Sequence, residues 1–104
     1  MEVEFRNQEL EDLYEGKKPK SKTFKSNKPL VKNYIKTVKK IQAAPDLNTL
    51  KQIGSLNLED LTDHSQGFSS VRIDGKYRLI IDLIKDDSEE VNLIGIEEIS
   101  NHYS

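Results

Sequence analysis

The chain contains no cysteine. That absence excludes disulfides, thiolate zinc sites and cysteine nucleophiles. Histidine is scarce: His64 and His102 are the only two, too few for a histidine-rich metal site. No apolar run approaches the roughly twenty residues needed to cross a bilayer. The opening MEVEFRNQEL is acidic and polar, unlike a secretory signal. These absences predict a cytoplasmic protein that makes no membrane contact. With 104 residues there is room for one core, and residues 1–104 read as a single domain.

Acidic residues are missing from one long stretch as well. Lys17 to Lys40 reads KKPKSKTFKSNKPLVKNYIKTVKK and holds ten lysines, in a chain whose net charge is −2. The remaining eighty residues set six basic side chains against eighteen acidic ones, a balance of −12. Such a segregated charge fits either a nucleic-acid surface or a solvated helix face.

MEVEFR alternates, with Val3 and Phe5 on one side, and predicts a short strand. Asn7 can cap a helix whose Leu10, Leu13 and Tyr14 share a face and which Gly16 ends. Residues 17–27 read as a mobile lysine- and serine-rich link. From Pro29 to Ala44, Val31, Tyr34, Ile35, Val38 and Ile41 recur at helical spacing. Lys28, Lys32, Lys36, Lys39 and Lys40 cover the opposite side. A shorter helix uses Leu47, Leu50 and Ile53 before Gly54. The second half alternates as strands do: SLNLEDL (55–61), FSSVRI, YRLIIDLI and VNLIGIEE. Asp74-Gly75 predicts a two-residue hairpin turn. The order, a strand, then helices, then antiparallel strands, predicts an α+β fold with two or three helices on one face of a mainly antiparallel sheet.

Three short segments resemble the RelE/ParE toxin superfamily, in particular its HigB-like plasmid-maintenance-killer branch. They are Ser70-Val71-Arg72-Ile73-Asp74, Tyr77-Arg78, and the ending Ser100-Asn101-His102-Tyr103. The opening strand, Leu10 to Gly16 and SLNLEDL fit too, so the likeness spans the chain. It implies a RelE-like fold and a toxin that cleaves mRNA in the ribosomal A site and inhibits translation, without metal or cofactor. The implied partners are the ribosome, mRNA and a HigA-like helix-turn-helix antitoxin, with operator DNA reached only through the antitoxin.

In that chemistry a ribose 2′-hydroxyl attacks the adjacent phosphate, leaving a cyclic phosphate and a free 5′-hydroxyl. It needs a base, cations on the phosphoryl oxygens and a proton for the leaving oxygen. Arginine's planar fork suits phosphate best. By the resemblance, Arg78 is the catalytic cation, and His102 and Tyr103 are acid–base or base-stacking residues. Arg72 and the helix lysines Lys32, Lys36, Lys39 and Lys40 would bind RNA. Sheet-edge ion pairs are the plainer reading of both arginines, and a frayed tail that of His102. Glu97 or Glu98 could serve as a base only if brought close.

Two departures stand out. Relatives carry a basic loop before the hairpin; here it is Leu61-Thr62-Asp63-His64-Ser65-Gln66-Gly67, without lysine or arginine. An upstream histidine used by some members is matched by Asn57, which cannot relay a proton at neutral pH. They leave two rivals to the nuclease. One is a weakened toxin fold that pairs with an antitoxin and acts in operator regulation; the other is a ParE-like gyrase inhibitor.

Overall fold

The computed structural model describes residues 1–61 and 67–101. Among these, four helices and five strands make an α+β architecture. The strands are β1 (Glu2–Phe5), β2 (Glu59–Asp60), β3 (Phe68–Arg72), β4 (Arg78–Lys85) and β5 (Val91–Ser100). They form one mixed sheet in the order β1-β5-β4-β3-β2, in which β1 runs parallel to β5 and the other pairs are antiparallel.

Each helix starts where a side chain can accept a backbone N–H that would otherwise lack a partner. Asn7 caps α1 (Gln8–Tyr14), Ser21 caps α2 (Lys22–Lys25), Asn27 caps α3 (Lys28–Ala43) and Asp46 caps α4 (Leu47–Gln52). Pro29 lies in the first turn of α3, where a missing N–H costs nothing. Gly16, at φ +84°, takes the left-handed position that closes α1.

The core lies between the helices and one sheet face. Leu10, Leu13, Tyr34, Val38, Ile41 and Leu50 from the helices meet Val71, Leu79, Ile81, Ile94 and Ile96 from the strands. Tyr34 crosses this layer and donates its hydroxyl to the Leu10 carbonyl at 2.7 Å. Burial, reinforced by nearby Tyr14, raises its pKa well above the usual tyrosine value. Strand alternation sends Phe68, Ile80, Ile84 and Leu93 to the other sheet face, outside this core.

Three local expectations change. The 17–27 segment contains the single helical turn α2, whose Phe24 packs on the core. The 55–61 strand shrinks to Glu59–Asp60, because Leu56 enters the core from a turn and Asn57 adopts φ +44°. The hairpin closes with a five-residue loop, after the Arg72↔Arg78 pair, in place of a two-residue turn. There the Asp74 carboxylate accepts the N–H groups of Lys76 and Tyr77, each at 2.8 Å, and Gly75 stays out of the left-handed region.

Candidate functional site

Sheet order decides which of the sequence-derived candidates meet. In register, Arg72 of β3 faces Arg78 of β4, and Arg78 faces Ser100 of β5. The two hairpin segments that carry the family resemblance and Ser100, the first residue of the third, therefore lie side by side at one end of the sheet. Two arginines directly opposite each other repel, so the row is stable only if each guanidinium is separately engaged.

They are engaged in opposite directions. Arg72 is exposed and turns along the hairpin, its Nε donating to the Asp74 carbonyl at 3.2 Å. Arg78 is 5 % exposed. Its Nε donates to Ser70 Oγ at 2.8 Å, and its Nη2 to the carbonyls of Asn57 at 2.5 Å and Ser70 at 3.1 Å. The Glu59 carboxylate stands 3.9 Å away. Burying a guanidinium is tolerable only when its donors are taken up in this way.

The corner at residues 54–57 is where these interactions converge. The Arg72 backbone N–H donates to the Leu56 carbonyl at 2.6 Å, next to the Asn57 carbonyl that Arg78 holds. Asparagine is among the few non-glycine residues that take the left-handed conformation readily, which explains its place here. Its side chain donates to Glu59 at 3.3 Å. Asn57 thus supports the arginine through its backbone. Ser70 and Asn57 were not foreseen as Arg78's partners, whereas Glu59, on edge strand β2, is a carboxylate of the kind the sheet-edge ion-pair reading called for. The available signal was Ser69-Ser70 inside a buried strand, since two buried hydroxyls must find partners.

Tyr77 and Asn101, from two of the three motif segments, share a cleft of about 340 Å³ with Glu9, Ser21 and Thr23. His102 and Tyr103 lie outside the described residues, as do His64 and the rest of the altered loop at 62–66. Glu97 is not near the arginine row. It faces Arg6 at 3.6 Å, beside Gly95 and Asp82, and burial chiefly raises its pKa, with Arg6 opposing and Asp82, Glu98 and Glu4 adding to the rise. Glu98 is exposed opposite Ile80.

The helix lysines divide. Lys32, Lys36, Lys39 and Lys40 are all exposed on the side of α3 opposite its buried Leu30, Tyr34, Val38 and Ile41. That side faces away from the sheet, whereas strand alternation puts Arg72 and Arg78 on the sheet's far face. Lys40 alone among these four is joined to the arginine corner, donating to Ser55 Oγ at 3.1 Å. Lys32 lies at the other end of the helix, on the rim of an apolar groove. Among the described residues no cluster of three or more ligating side chains could hold a metal ion, and no helix is long and apolar enough to cross a membrane.

Comparison with protein-family models, with curated proteins and with solved structures gives no match.

Proposed function

We propose that the chain is a toxin of the RelE/ParE superfamily, of the HigB-like branch, with a RelE-like fold, which cleaves ribosome-bound mRNA and pairs with a helix-turn-helix antitoxin. The observation that carries this reading is the cross-strand row Arg72–Arg78–Ser100, which joins the two arms of one hairpin to the start of the third motif segment, about twenty residues further along the chain. A phosphodiester approaching that end of the sheet meets Arg72 first, because it is the exposed arginine of the pair. Arg78 fixes the floor beneath it and, as the residue matching the family's catalytic cation, supplies positive charge to the phosphoryl oxygens. His102 and Tyr103, which follow Ser100 and Asn101, handle protons or stack on a base. Lys40 is the helix lysine that extends this surface.

The test is 5′-end mapping of a reporter mRNA in reconstituted translation, with and without ribosomes, using wild-type protein, Arg72→Ala and His102→Ala. Ribosome-dependent cuts by the wild type, reduced at least tenfold in the folded variants, are expected. Intact mRNA with folded wild-type protein would sink the nuclease.

The burial of Arg78 favours a second reading. Its guanidinium is taken up by backbone carbonyls, a serine hydroxyl and the Glu59 carboxylate, as befits a toxin-like fold kept for antitoxin pairing and operator regulation. That reading expects normal growth when the chain is expressed alone, and the nuclease expects arrest. A ParE-like gyrase inhibitor would instead induce the DNA-damage response.

A further inference from the structure

An apolar recess lies away from the arginine row, between α2 and α3. It is an open groove of about 620 Å³, with Pro19, Phe24, Val31 and Ile35 as its apolar surface. Phe24, Val31 and Ile35 each rest on the core with one side and leave the other uncovered. Lys18, Lys25, Lys28 and Lys32 stand around it, and no acidic residue lines it. None of these four exposed lysines makes an ion pair with a described residue, whereas Lys17 next to them is held by Asp12 and Glu15.

Two features of α3 argue that this surface is made for a partner. Val31 and Ile35, four residues apart, add a second apolar stripe beside the helix's buried one. Lys28, Lys32, Lys36 and Lys40 also recur every four residues, so like charges are stacked along one side of the helix. Interspersed glutamates would relieve that repulsion within the helix, and α3 has none. A partner of opposite charge relieves it on binding.

We propose that the groove between α2 and α3 binds an acidic, amphipathic helical segment of another protein. Its apolar side would lie on Phe24, Val31 and Ile35, and its carboxylates would meet the lysine rim. The distance from Lys28 to Ile35 along α3 is roughly 11 Å, so the groove accepts about two turns of such a helix. Nucleic acid fits less well: the recess offers one aromatic ring, no arginine and an apolar floor where phosphates and base edges need polar partners. A bilayer fits less well too, because membrane-binding side chains must protrude and these are recessed. The proposal stands apart from the nuclease reading and survives its failure.

The experiment is a titration of the isotope-labelled full chain, followed by amide chemical shifts. The probe is a synthetic helical peptide of about fifteen residues, with leucines at helical spacing on one side and glutamates elsewhere. Saturable shifts centred on Phe24, Val31 and Ile35 are expected, with affinity falling about tenfold between low and moderate salt. The folded triple variant K25E/K28E/K32E should bind at least tenfold more weakly. Absence of saturable shifts would overturn the proposal, as would equal binding of a peptide with the same residues in scrambled order. Tighter occupation of the same residues by a short single-stranded RNA or by anionic vesicles would overturn it in favour of those ligands. Concentration-dependent shifts there without peptide would assign the groove to a second copy of this chain.

Discussion

At the scale of single residues, the decisive one is Arg78. The resemblance of Tyr77-Arg78 to the family's motif made it a candidate cation, but its surroundings were not legible in the sequence. They depend on which carbonyls the 54–57 corner presents, and that corner is fixed by the fold. Truncating Arg78 removes the donor that Ser70 Oγ and the carbonyls of Asn57 and Ser70 share, and opens a gap at a buried position. Arg78→Ala should therefore lower stability by about 2–4 kcal/mol. The exposed Arg72→Ala should stay within ~0.5 kcal/mol of wild type. Urea denaturation of both measures this, and similar midpoints would mean that Arg78 is not held as described. Any loss of activity in Arg78→Ala must accordingly be read against its folded fraction. Glu97 gives a second prediction. Burial raises its pKa in the folded protein, so folding favours the protonated form. Its contribution is most favourable below the unfolded carboxylate pKa and is lost as pH rises through the elevated folded value. Glu97→Gln should thus raise the melting temperature more at pH 7 than at pH 4. An equal shift at both would show that the charge is irrelevant.

Among the elements, α1, α3, α4 and the last three strands follow from local pattern: caps, helical spacing and apolar runs bounded by turns. What pattern could not supply was tertiary. The turn α2 has one apolar residue among lysines, and it forms because Phe24 finds the core and the Ser21 N–H finds Glu9 Oε2 at 3.0 Å. The alternation of Leu56 and Leu58 suggested a strand, but one leucine serves the core from a turn. The parallel pairing of β1 with β5 leaves no local signature at all. For α3, the row of lysines at four-residue intervals makes a direct prediction. Like pairs at that spacing disfavour a helix by roughly 0.2–0.5 kcal/mol each. Lys36→Glu converts two repulsive pairs, with Lys32 and Lys40, into attractive ones. It should raise the melting temperature by about 2–5 °C at low salt. A fall would mean that Lys36 makes a favourable contact of its own.

For the whole molecule, the charge separation seen in the sequence becomes a spatial one. Lysines cover the outer side of α3, while Glu4, Asp82, Glu97 and Glu98 gather on or beside the uncovered sheet face. The sequence showed the segregation; it could not show that the helix layer would set most of the lysines apart from Arg72 and Arg78. The consequence is that each side gathers like charges, which Arg6 offsets in part on the acidic side and salt screens on both. The Debye length falls from about 30 Å at 0.01 M salt to about 3 Å at 1 M. Sodium chloride over that range should raise the melting temperature of the wild type, with Lys36→Glu gaining less because part of its repulsion is already gone. The variant also serves as the control for general salt effects on burial, which both proteins share. An identical increment in the two would locate the repulsion on the acidic side. A lower melting temperature in salt would mean that attractive pairs such as Arg6 with Glu4 and Glu97 outweigh the clustered lysines.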